Sequence, residues 1–129
     1  MKINRFEDLE IWKRALKVTK EIYDLISEKK FSRDFALVDQ IKRAIISVSS
    51  NIVEGFEKNN NNEFIRFLKI AKGSAGEVRN QLYIALVIGY ISQQAFNQIN
   101  QELEDLAGQI GGFIIYLDSK RKNKEFLNH

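Results

Sequence analysis

The sequence predicts an all-α protein, an antiparallel up-down-up-down four-helix bundle, and three observations carry that prediction. Apolar residues recur at three- and four-residue spacing in four separate stretches, the period of one face of an α-helix. The chain has no proline, so nothing in it breaks a long helix. The gaps between the stretches are short and polar, which sets neighbouring helices antiparallel. The helices are expected at about residues 6–29, 34–57, 62–88 and 92–121 of a single domain, 1–129.

The first helix is expected to start after Asn4, whose side chain caps it, with Glu7 completing a capping box. Leu9, Trp12, Leu16, Tyr23 and Ile26 form one apolar seam, and Ile11, Ala15, Val18, Ile22 and Leu25 form a second. Together the seams span roughly 200° of the helix, against the ~100° stripe of a surface helix. Such a helix is expected to bury two sides. Its remaining face holds Glu10, Lys13, Arg14, Lys17, Lys20, Glu21, Asp24 and Glu28. Opposite charges three or four residues apart read as a solvated face laced with ion pairs. Lys13, Lys17 and Lys20 are candidate nucleic-acid contacts beside that reading.

The periodicity breaks from Lys29 to Arg33, where Ser32 is the expected cap of the second helix. Ile41, Ile45, Val48 and Ile52 form its core stripe. Opposite them Arg43, Ser47, Ser50 and Glu54 line up at the same spacing, flanked by Ile46 and Val53. Two small hydroxyls between a cation and an anion suggest a face lying against another helix. The run Glu57-Lys58-Asn59-Asn60-Asn61-Asn62 is the clearest turn, because asparagine competes for backbone hydrogen bonds and tolerates left-handed conformations. Asn60 and Glu63 have capping-box spacing.

In the third helix Phe64, Leu68, Ala71, Ala75, Val78, Leu82 and Leu86 keep the heptad. Gly73 and Gly76 cost roughly 1 kcal/mol each in helix propensity, which suggests close approach of another backbone. A break from Gly89 to Ser92 leads to the fourth helix, with Phe96, Ile99, Leu103, Leu106, Ile110, Phe113 and Leu117 on its core face and Gly108, Gly111 and Gly112 thinning another. Lys120-Arg121-Lys122-Asn123-Lys124 is a basic last turn that complements the helix dipole.

A hairpin about the asparagine turn pairs residues whose numbers sum to about 120. Arg43 then meets Glu77, Glu54 meets Arg66, and Ser47 meets Gly73. Both polar stripes lie opposite their helices' apolar stripes. The pairs therefore form by leaning sideways within the hairpin or by meeting across a subunit boundary; two independent solvent faces are the third reading.

Chemistry is sparse. There is no cysteine, the one histidine is His129 at the end of the sequence, and no Glu-x-x-His pair offers a di-metal site. Glu54 and Glu77 each have an arginine candidate, which favours ion pairing over acid–base work. No nucleophile elbow or phosphate loop occurs. We expect neither catalytic residues, nor a metal or cofactor, nor an enzyme. The net charge is +3, and it is uneven along the chain: residues 58–90 carry +3, 91–117 carry −3 and those from 118 onward carry +2. Lys69, Lys72 and Arg79, with Gly76, make a strip without an acid that suits phosphates; a solubilising edge explains it equally well. The first residues contain no apolar run of signal-peptide type. The longest apolar run, Leu82 to Ile91, is about half of the ~20 residues that cross a bilayer. We read a cytoplasmic protein without a membrane partner.

Three blocks carry a resemblance. They are Phe6-x-x-Leu9-x-x-Trp12, then Arg43-Ala44-x-x-Ser47-x-x-Ser50-Asn51-Ile52-x-Glu54-Gly55, then Phe64-x-x-Phe67-Leu68-x-x-Ala71-x-Gly73-Ser74-x-x-Glu77 with Gln81. In this order they resemble the bacterial four-helix-bundle proteins, also called 23S ribosomal RNA intervening-sequence proteins. The similarity runs from Phe6 to about Leu117. Val53 stands where alanine is usual and Ser49 where proline is often seen. The resemblance implies an up-down bundle that assembles into a homopentamer. It also implies kinship with the accessory variability protein of diversity-generating retroelements, whose basic pentamer surface binds nucleic acid and a reverse transcriptase. Two functions follow as expectations. One is a non-catalytic oligomer that binds RNA or DNA, with an accessory role to a nucleic-acid enzyme as a further expectation. The other is a protein–protein scaffold with no nucleic-acid role. In either, Arg43, Ser47, Ser50, Asn51, Glu54, Arg66, Gly73 and Glu77 are expected to set packing or subunit contact.

Overall fold

A computed structural model describes residues 3–122, with side chains through Lys120. These residues form four α-helices: α1 (Glu10–Ile26), α2 (Phe35–Glu57), α3 (Asn61–Ile88) and α4 (Gln93–Lys122). α1 neighbours α2 and α4, and α3 neighbours the same two. Cross-helix contacts run antiparallel, with Ser47 on Ser74 between α2 and α3 and Arg79 on Asn100 between α3 and α4. Arg14 on Glu102 joins α1 to α4. The up-down-up-down bundle is therefore the fold, and no described helix is long and apolar enough to cross a membrane. The expected basic tail beyond Lys120, and His129, lie outside the described residues and side chains.

The core follows the apolar rows. Ile41, Ile45, Val48 and Ile52 of α2 are sealed from solvent, as are Phe64, Leu68, Ala71, Ala75, Val78 and Leu82 of α3. From α4, Phe96, Ile99, Leu103, Leu106, Ile110 and Leu117 complete it. In α1 only the row Ile11, Ala15, Val18, Ile22 and Ile26 is buried; Trp12, Tyr23 and Leu25 are half-buried and Leu16 is exposed. The helix therefore buries one side rather than two, and the other seam forms a partly wet border.

Two caps differ from expectation. Asn4 does not start α1. Residues Phe6–Asp8 form a 3-10 turn, and Leu9, in extended conformation, precedes the helix. The turn lets Ile3 and Leu9 reach the core and sets the Phe6 ring edge-on to Trp12, with centroids 5.2 Å apart. Burial of two aliphatic side chains outweighs one cap hydrogen bond. α2 is capped by Asp34, whose carboxylate accepts from Leu37 N at 3.1 Å, while the Ser32 hydroxyl donates to the Lys29 carbonyl. The cap is displaced because Phe31 is fully buried and draws residues 31–33 into a 3-10 turn. The other Asp34 oxygen accepts from the Tyr90 hydroxyl at 2.9 Å. That bond ties the α1–α2 connection to the α3–α4 connection.

At the asparagine turn, Asn60 caps α3 by accepting from Glu63 N at 3.0 Å, and Asn59 takes the left-handed conformation with φ 54°. Only half the capping box forms, because the Glu63 carboxylate turns to Arg66. Gly89, at φ 97°, ends α3, and Ser92 caps α4 through Ala95 N.

The glycines differ from expectation. A Cβ placed at Gly73 or Gly76 would meet nothing within 4 Å, so neither marks a close approach inside the chain. The close approach is at Gly55, where a Cβ would stand 2.7 Å from the Cβ of Phe67 and 3.0 Å from the Phe64 ring. Gly55→Ala should destabilise the fold by about 1–3 kcal/mol through overpacking. Gly73→Ala and Gly76→Ala should each stabilise it by up to roughly 1 kcal/mol. Urea unfolding followed by circular dichroism, at chain concentrations low enough to keep the protein monomeric, measures all three; destabilisation of the monomer by the last two would show that their missing side chains serve the fold.

Candidate functional site

The polar stripe of α2 becomes a clasp with α3. Ser47 Oγ lies 2.9 Å from Ser74 Oγ, and Asn51 Nδ2 donates to both the Ser47 carbonyl and hydroxyl, at 2.7 and 2.8 Å. The expected register is therefore off by one residue, with Ser74 rather than Gly73 opposite Ser47. The expected ion pairs do not form within the chain. Arg43 binds Asp39 one turn away at 2.9 Å, and Arg66 binds Glu63 at 3.1 Å. A partner on the same helix is already held close, so it wins over one reached across a groove. Arg43 and Glu77 nevertheless line one shallow groove with Gln40, Ala44 and Ser47. Glu54 acts on Arg66 through its field, which adds to the larger effect of Glu63 in raising the guanidinium pKa. Ser50, Val53 and Glu54 line a second shallow depression on the outside of α2.

The cations divide in a way the sequence alone did not show. Lys13 pairs with Glu10 at 3.4 Å and Lys20 with Asp24 at 2.8 Å. Lys17 reaches across to Glu102 on α4 at 2.9 Å, where Arg14 also binds, and Arg14 further contacts Asp105. Arg79, expected to face phosphates, donates to Asn100 at 2.8 Å and contacts Glu104 at 3.3 Å. The acids of α4 thus take up cations from both of its neighbours. The −3 charge of residues 91–117 was the available signal for this pairing. Among the candidate cations, Lys69 and Lys72 are exposed and form no ion pair; Lys72 lies alongside α4, its ammonium 3.6 Å from the place of a Cβ on Gly111.

Between α1 and α4 a groove of about 540 Å³ is floored by Leu25, Ala95 and Ile99 and rimmed by Glu21, Gln98, Gln101 and Glu102. No hydrogen-bond partner meets Glu21 Oε1, which is itself buried. Burial pushes the Glu21 carboxyl above the usual carboxylate range, and the adjacent Glu102 adds to the shift. Lys17 and Arg14 hold Glu102 below that range, the Lys17 hydrogen bond being the largest cause. A proton on Glu21 gives Glu102 a hydrogen bond that two ionised carboxylates cannot make.

Because the folded chain holds the Glu21 proton more tightly than the unfolded chain, the associated stability is present at low pH. It is lost as the pH rises from the ordinary carboxylate range through the raised value. The lowered Glu102 and Glu63 act in the opposite sense, losing their contribution only as the pH falls below that range. Glu21→Gln should therefore gain stability relative to the parent between about pH 5 and about pH 8. Thermal melts at both pH values measure this; a pH-independent difference would contradict it.

With this geometry in view, comparison with known proteins is informative. A family model described as 23S rRNA-intervening sequence protein matches residues 7–112. Comparison with curated proteins finds no match. Among solved structures, the chain is similar to a crystal structure of a protein of unknown function from the S23 ribosomal protein family of Bacteroides thetaiotaomicron. That likeness is 23% in identity and 0.73 in TM-score, over 81% of this chain and 97% of the other, and it speaks to fold alone. The matched segment holds the Ser47–Ser74–Asn51 clasp, the Gly55 crossing and the α4 acids, and on it the chain belongs to the 23S rRNA-intervening sequence protein family.

Proposed function

We propose that this protein is a non-catalytic, self-assembling bundle whose working surface is the outer face of α2 and α3, covered by a second copy. The carrying observation is the composition of that face. Ile46, Ile70 and Ile84 are exposed on it, Gly73 leaves open space, and the Arg43–Glu77 groove runs between the helices. Its charges have both signs, with Arg43 and Arg66 beside Asp39, Glu54, Glu63 and Glu77. A mixed face repels a polyanion and suits another protein surface of the same kind. The family resemblance favours a closed ring of five. Arg43, Ser50, Glu54, Arg66, Gly73 and Glu77 then act between subunits, while Ser47 and Asn51 hold the hairpin that presents them.

A second reading adds RNA or DNA binding, and Lys69 and Lys72 favour it because they are exposed and unpaired among the described residues. Two cations per chain are weak alone, and repetition around a ring multiplies them. Without it, the protein is a protein–protein scaffold.

Light scattering on the purified chain should give a multiple of the monomer mass. Ile46→Asp combined with Ile70→Asp should reduce it to the monomer with unchanged helicity. A monomeric parent would sink the assembly proposal. In fluorescence anisotropy, Lys69→Gln with Lys72→Gln should lower the salt slope of nucleic-acid binding by about two per chain. If the parent binds no RNA or DNA at low salt, the scaffold reading stands by itself.

A further inference from the structure

The end of the bundle where the α1–α2 and α3–α4 connections meet is built unlike the rest of the surface. Phe31 is fully buried there and lies against Tyr90, with ring centroids 5.4 Å apart. Asp34 is consumed by the Leu37 amide and the Tyr90 hydroxyl. The connection is therefore pinned. Out of it project Lys29, Lys30 and Arg33, all exposed and without an ion pair among the described residues; Glu28 is the one exposed acid in the same turn. Immediately after them Phe35 is 80% exposed. On the adjoining end of α3, next to the tied Tyr90, Val87 is 84% and Ile88 54% exposed.

We propose that this end is a peripheral docking surface for an anionic lipid bilayer. Three cations held on a rigid connection complement a negatively charged headgroup layer. An aromatic on the same connection and two aliphatic tips at the same end of the bundle suit the boundary between headgroups and acyl chains, as in other interfacial anchors. The aliphatic tips distinguish this end from a nucleic-acid platform, where bases stack on aromatic rings. The short apolar runs exclude a membrane-crossing segment among the described helices and leave surface binding open, because an interfacial anchor needs no spanning length. The inference rests partly on self-assembly: cyclic symmetry repeats the same end of every copy on one rim, and a flat target engages all copies together.

Flotation of the full chain with vesicles tests it. The protein should float with vesicles of two parts phosphatidylcholine to one part phosphatidylserine and stay behind with phosphatidylcholine alone. Lys29→Glu with Lys30→Glu and Arg33→Glu should weaken binding at least about tenfold. Phe35→Ser should weaken it several-fold, with unchanged melting temperature and unchanged mass by light scattering. No flotation with the anionic vesicles, or flotation indifferent to these substitutions, overturns the proposal. A changed oligomeric mass in Phe35→Ser would instead assign this end to the contact between copies. Loss of binding to a single-stranded RNA, with vesicle binding intact, would assign it to nucleic acid. Because light scattering on the parent reports assembly separately, failure at the vesicle does not count against the ring.

Discussion

The close approach of α2 to α3 is the constraint on which the rest depends. It exists because Gly55 has no side chain where Phe67 and Phe64 pass, and because Ser47, Ser74 and Asn51 satisfy one another where the helices touch. Small residues let two backbones come together, and the buried polar groups among them must be paired. Once this hairpin is fixed, its register decides which rows point inward. α4 then aligns on α3 through Arg79 and through the edge-on contact of Phe64 with Phe113, centroids 5.6 Å apart. α1 docks differently. It meets α4 through long charged side chains beside an open groove, with Arg14 and Lys17 spanning to Glu102 and Asp105.

Core rows were legible in the sequence because helical periodicity is a property of each helix alone. Ile41, Ile45, Val48 and Ile52 had to share a face whatever they packed against. The Asn60 cap and the Gly89 terminus were legible for the same local reason. What failed to show was any choice between partners. Arg43 has Asp39 one turn away and Glu77 across a groove, and spacing does not rank the two. Likewise Gly55, Gly73 and Gly76 are equivalent as letters, although only the first lies beneath another side chain. At the N-terminus the Asn4 pattern was a sound cap, overridden by burial of Ile3 and Leu9, which depends on tertiary structure.

Charge placement gives the molecule distinct surfaces. The cations of α1, and Arg79 of α3, are spent on neighbouring acids, so a basic composition does not become a basic surface there. Lys69 and Lys72 remain on α3, and Lys29, Lys30 and Arg33 on the pinned end. The outer α2–α3 face is mixed in sign and partly apolar, with Gly73 placed where the fold itself gains nothing from it; Gly76, in the strip beside Lys69 and Lys72, is equally open. Helix-interior glycines on an open face lower helix stability without intramolecular return, which agrees with close approach by another molecule.

The dependence of the fold on the α2–α3 crossing is tested most directly by residue-resolved hydrogen exchange on the native protein. If the α2–α3 crossing holds the fold, amides from Ala44 to Phe56 and from Phe64 to Leu82 should exchange only through global unfolding. Those of α1 should open at a measurably lower free energy, because its seam with α4 is carried by side chains around a groove. Amides of α1 as protected as those of α2 and α3 would contradict the account and make all four helices one indivisible unit.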